Sequence, residues 1–268
     1  MHIRRLGAVA AVILAFSATA SAQPKKKPGK VDVAAATAKL KGTDADAASK
    51  AATVLGTAGP AAHDVLLDAL AGGLGPAVAP AAIAAVAVAP APADVATLKI
   101  YARHRNSTVR ASALSALSAY PGPVARRLLV GALGDTKPAV RAAAADALAR
   151  AKARDGVERM FKLLAKGDEG GVKALAAMAD PEMARAIGEQ LGQVPDSALA
   201  KCLGMILRRA DFGPDEARVQ VVRALAKIQG ADAIAELTEY VDKTPAKPPR
   251  ASRREAEQVI EARIGGGK

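Results

Sequence analysis

Val109-Arg110 opens the run Val-Arg-Ala-Ser-Ala-Leu-Ser-Ala-Leu, and Val140-Arg141 opens Val-Arg-Ala-Ala-Ala-Ala-Asp-Ala-Leu 31 residues later. A looser copy begins 32 residues further on, at Val172-Lys173. Two periods also separate a second pair of segments. A shift of 63 places Gly59-Pro60 on Gly122-Pro123, Leu66 and Leu67 on Leu129 and Val130, and Leu70 on Leu133. Chain break and apolar face therefore repeat together. A period of this length is one pair of helices, which cannot bury its apolar faces alone and must stack on its neighbours. The expected fold class is all-α, a right-handed solenoid of stacked antiparallel helix pairs with a C-terminal capping helix. About six pairs, with axes roughly 8–10 Å apart, would form a body roughly 60 Å long.

The composition suits close helix packing. The chain is 51% hydrophobic, but only 2% aromatic and without Trp. Its apolar content is mostly Ala, Leu and Val, and Ala combines the best helix propensity with the smallest side chain. The scarcity of aromatics argues against sugar platforms and against base stacking on single-stranded nucleic acid. The uncharged stretch 69–93 carries Pro76, Pro80, Pro90 and Pro92 with Gly72, Gly73 and Gly75. It reads as one buried, irregular repeat rather than a membrane span.

The ends are expected to lie outside the array. Residues 1–22 read as a signal peptide: a basic start through Arg5, an apolar run from Leu6 to Phe16, and Ala20-Ser21-Ala22 as the cleavage site. Export to the periplasm or beyond is the expected localisation. Residues 23–42 form a basic linker, including Lys25, Lys26 and Lys27, with a short helix expected at 32–40. The solenoid is expected over 43–243, and residues 244–268 form a Pro-rich break and a final helix whose Ala256, Val259, Ile260 and Ile264 share one stripe. Asp44, Asn106, Asp135-Thr136 and Asp180 are expected helix caps, and Asp155 to Glu158 and Ser252 to Glu255 read as capping boxes. Gly170-Gly171 reads as a break. Residues 215–229 and 231–242 read as the last clear pair, a shift of 77 placing Arg218 on Arg141. The single cysteine, Cys202, cannot form an intrachain disulfide and is expected in the core.

Residues 138–150, Pro-Ala-Val-Arg-Ala-Ala-Ala-Ala-Asp-Ala-Leu-Ala-Arg, followed by Val157-Glu158-Arg159-Met160-Phe161-Lys162-Leu163-Leu164, resemble a HEAT repeat. The likeness is greatest to the short bacterial HEAT-like type also found in phycobilin lyases. It extends over about 44–242, with the second unit and residues 171–209 departing from the pattern. The resemblance implies a protein-binding array, with lyase-like action on a prosthetic group as the alternative. Carrying function across on fold alone is analogy.

Candidate chemistry is sparse. Arg110 and Arg141 recur at the period, which favours an inter-repeat ladder over a ligand site. His63-Asp64 is similar to the dyad of metal-dependent phosphohydrolases, but His104 is the only other histidine beyond the expected signal peptide. The repeat alignment sets His63 opposite Arg126 on the polar side of a second helix. No nucleophile, phosphate-loop or zinc signature stands out, so no catalytic residue, metal or cofactor is expected.

Charge is the feature that does not repeat. Residues 99–154 hold eleven Lys or Arg against two Asp, whereas 43–98 hold one Lys against five Asp. The region from 155 onward is balanced at eighteen of each sign. Arg126, Arg127, Arg159 and Lys162 are the expected partner-contact residues on the second-helix face. The expected partner is a protein; an anionic membrane or envelope polymer is the alternative, and the export signal counts against nucleic acid.

Overall fold

The computed structural model describes residues 31–265. The expected signal peptide, and the linker lysines Lys25, Lys26 and Lys27, lie outside the described residues. The chain divides into two compact units, Met1–Val31 and Asp32–Lys268. The second holds fifteen α-helices among its described residues. They are α1 (Val33–Leu40), α2 (Ala45–Leu55), α3 (Pro60–Ala71), α4 (Ala79–Val86), α5 (Asp94–Tyr101), α6 (Ser107–Leu117), α7 (Pro123–Ala132) and α8 (Pro138–Arg150). After a 3-10 turn at Arg154–Gly156 follow α9 (Val157–Leu164), α10 (Glu169–Met178), α11 (Pro181–Gly188) and α12 (Asp196–Arg208). The chain closes with α13 (Asp215–Lys227), α14 (Ala231–Lys243) and α15 (Ala251–Gly265).

The helices alternate between two layers. In the first, α2, α4, α6, α8, α10, α12 and α14 pack each on the next. The second layer contains α1, α3, α5, α7, α9, α11, α13 and α15, each lying beside its first-layer neighbour. Among the described residues this makes α1 followed by seven helix pairs. The stack thus includes the short helix ahead of the expected array and the helix beyond it.

The repeated phrase explains the layers. Val109, Val140 and Val172 occupy the same position on α6, α8 and α10, and all three are buried. Ala113, Ala144 and Ala176 follow them into the interface between first-layer helices. Small residues let these helices approach until only glycine fits at one junction. A methyl group on Gly170 would lie 2.6 Å from Ala142 Cα, and one on Gly171 would lie 2.5 Å from Leu163 Cβ. Gly170-Gly171 is therefore not a break but the first turn of α10, pressed against α8 and α9. The Ala-rich stretch 69–93 also joins the stack: Ala79, Ala82, Ile83 and Val86 of α4 are fully buried.

Several helices begin as their sequences dictate. Asp44, Asn106 and Asp168 each accept from two N–H groups of the following turn, and Asp180 accepts from that of Met183. Each such cap contributes about 1 kcal/mol. Pro60, Pro123, Pro138 and Pro181 open α3, α7, α8 and α11, where a missing N–H costs nothing.

Other ends differ from expectation. Lys137 holds the cap position of α8 without a side-chain bond, while Asp135 accepts the Lys137 N–H and binds Arg110. Asp155 to Glu158 makes no capping box; Asp155 faces Arg126 and Glu158 binds Lys162. Ser252 lies inside α15, bonded to Asp215 and to the Tyr240 hydroxyl. Its hydroxyl answers a tertiary partner, so the Ser252 box is also absent.

The pairing near the C-terminus is shifted as well. α13 falls in the second layer beside α11 and α15, so α12 pairs with α13 and α14 with α15. Arg218 keeps the local habit of Arg141, donating to carbonyls of the preceding loop at Gly213 and Arg209. Sequence register was preserved there while the layer changed. α15 covers α13 and α14 through Ala256, Val259 and Ile260, but Ile264 is left exposed.

Candidate functional site

The repeat arginines are occupied by structure. Arg110 Nε and Nη2 donate to the two carboxylate oxygens of Asp135, each at 2.9 Å, and Nη1 donates to the carbonyls of His104 and Arg105. Arg141 repeats this one unit on, with Asp168 as the acid and the carbonyls of Asp135 and Thr136. Each guanidinium fork ties a helix to its own leading loop and to the next repeat. Asp135 feels opposing influences: burial raises its pKa, but hydrogen bonds from Arg110 and the Lys137 N–H hold the carboxyl below the usual range.

His63 does not act with Asp64. Its Nε2 lies 2.9 Å from Asp94 Oδ1 on the next second-layer helix. Asp94 is fully buried, and its Oδ2 accepts from the Ala91 N–H at 2.8 Å and the Tyr120 hydroxyl at 2.9 Å. Burial, then the hydrogen bond to Asp94 and its charge, push the Tyr120 phenol far above its ordinary pKa. This network joins three successive repeats. Among the described residues no group of three or more His, Cys, Asp or Glu side chains is arranged to hold a metal ion.

Three of the four expected contact residues meet. Arg126, Arg127 and Arg159 line one open depression of about 430 Å³ on the second layer, with Pro123, Val130, Gly131 and Asp155. Arg126 lies 3.4 Å from Asp155 Oδ2, with its Nε in no hydrogen bond, and Arg159 donates to the Val130 carbonyl at 2.9 Å. Arg127 is exposed and makes no ion pair among the described residues. Lys162 does not line the depression. It lies 2.7 Å from Glu158 one turn away and holds that carboxyl below its usual pKa.

A second depression adjoins the first and was not legible as a site in the sequence. The loops before α5 and α7 bring Pro90, Pro92, Pro121 and Pro123 around Val95, Tyr120 and Val124 in an apolar cleft of about 390 Å³. Pro123 lines both depressions. The prolines mark helix breaks in sequence; only the stacking of two successive loops turns the breaks into walls.

Fold and surface together define an α-solenoid with a continuous second-helix face. Residues 95–179 match the family of HEAT repeats, a stretch running from within α5 through α10. The chain is a HEAT-repeat solenoid. Two structures of Kap121p are similar, one of them the D353K/E396K/D438K mutant, at 12% identity with TM-scores of 0.53 for the mutant and 0.52. Each match covers 85% of this chain and 29% of Kap121p, so the likeness concerns the fold. The CpcE–CpcF complex of phycocyanin lyase from Nostoc sp. PCC7120 aligns at 16% identity over 90% of this chain and 98% of that one, with a TM-score of 0.48. A comparison with curated proteins returns no match. Among the described residues no helix is long and apolar enough to cross a membrane.

Proposed function

We propose that this protein is an exported, non-catalytic scaffold that holds a protein partner along its second-helix layer. One observation carries the reading: Arg126, Arg127 and Arg159, from two successive second-layer helices, line one open depression. An open, rigid face built across repeats suits a macromolecular surface. The HEAT repeats within it support protein binding, since stacked repeats commonly present extended recognition surfaces. The reading of residues 1–22 as a signal peptide supports action in the cell envelope.

Crosslinking of the cell-envelope fraction followed by mass spectrometry tests this. Lys99 and Lys162 belong to second-layer helices, whereas Lys50, Lys173 and Lys201 belong to the first layer. The expected result is a reproducible protein partner joined to Lys99 or Lys162. Failure to recover any reproducible partner, or crosslinks confined to the first-layer lysines, would overturn the proposal.

A further inference from the structure

We infer that the partner presents an acidic segment with a large apolar side chain beside its carboxylates, and that the face around Pro123 receives it. This rests on the scaffold reading above and assigns that partner its chemistry. The two depressions adjoin through Pro123, so an apolar group and an anionic group a few ångströms apart on one segment reach both. The apolar half is preformed. Proline rings have a fixed φ and little entropy to lose, and the Tyr120 hydroxyl is already tied to Asp94. A volume of about 390 Å³ accepts one or two large side chains.

The basic half has charge to spare. Three guanidinium groups face one carboxylate, that of Asp155. Arg126 is matched to it, Arg159 has a neutral carbonyl as partner, and Arg127 has no acid within reach among the described residues. Guanidinium forks match carboxylates in two-point geometry. The surrounding segment 99–154 adds to the field, with eleven basic residues against two acidic. Charge complementarity therefore selects an acidic segment, and the cleft selects a side chain large enough to fill it. A flat anionic lipid surface matches the charge but has no group that enters a cleft walled by prolines.

Selection of a phage-displayed random peptide library against the full chain tests this, with the Arg127→Glu and Val124→Ser variants as counter-targets. Both side chains are exposed, and circular dichroism checks that each variant is folded. The expected consensus is a Leu, Phe or Met flanked by Asp or Glu. A synthetic peptide of that consensus should bind at least about tenfold more weakly to either variant, or about 1.4 kcal/mol. No consensus, a neutral or basic one, or equal binding by both variants would overturn the inference. Binding to phosphatidylglycerol vesicles that is unchanged in Val124→Ser would overturn it too. If crosslinking yields a second-layer partner but the library does not converge on this chemistry, the scaffold reading stands and this inference falls. A converging library without any crosslinked partner has the opposite meaning.

Discussion

His63 Nε2 lies 2.9 Å from Asp94 Oδ1, joining two second-layer helices across 31 residues of chain. Two helices further along, Arg126 meets Asp155 at equivalent positions of the stack. The first clasp is buried and the second is open to solvent. Removing the buried acid should be the costlier change, because Asp94 also holds the Ala91 N–H and the Tyr120 hydroxyl. Asp94→Ala should cost about 2–4 kcal/mol, the cost of leaving buried polar partners unpaired. Asp155→Ala should cost about 1 kcal/mol or less. Chemical denaturation of both variants measures the difference.

Tyr120 should give the fold an alkaline limit. Its phenol is held protonated in the folded state, while in the unfolded chain it ionises at its ordinary value of about 10. The contribution is complete below about pH 10 and is lost as pH rises further, because only the unfolded chain gains by ionising. Stability of the native chain should therefore fall more steeply above pH 10 than that of Tyr120→Phe. Parallel slopes in urea titrations of the two proteins would contradict the assignment.

Two glycines should respond to the same substitution with opposite sign. Gly170→Ala puts a methyl group against the Ala142 backbone and should destabilise by about 1–3 kcal/mol, the usual cost of overpacking. Gly131, near the end of α7, has no atom within 4 Å of an added methyl group. Gly131→Ala should stabilise by up to about 1 kcal/mol through helix propensity. Thermal melts of the two variants give both signs directly.

Cys202 should be chemically silent until the fold opens. It is fully buried, burial pushes its thiol up to about 12, and its Sγ–H faces the Val172 carbonyl at 3.6 Å. A thiol reagent at neutral pH should label the chain only in denaturant. Rapid labelling of the native protein would show that the α10–α12 junction opens.

The sequence made the architecture visible because its period is carried by residues that must be buried. Val109, Val140 and Val172 repeat for the same packing reason. The structural use of Arg110 and Arg141 was visible for the same cause: what recurs in every unit serves the units. Layer assignment was harder. α13 carries the local loop-closing pattern at Arg218 yet stands in the second layer, because local hydrogen bonds do not encode which layer a helix joins. Gly170-Gly171 looked like a break because close helix contact and chain reversal both select glycine. Arg126, Arg127 and Arg159 were legible as a basic group through repeat position. Lys162 was not excluded from it until Glu158 was seen to hold it. The proline cleft could not be read at all, since its walls come from loops about 30 residues apart.

Hydrogen exchange of the full chain, with and without the crosslinked partner, tests the central claim most directly. Partner binding at the second-helix face should slow exchange in the loops before α5 and α7 and in α7 and α9. In Arg127→Glu that protection should be lost while the unbound exchange pattern is unchanged. Protection confined to first-layer helices, or undiminished in Arg127→Glu, would contradict the assignment of this face as the docking surface.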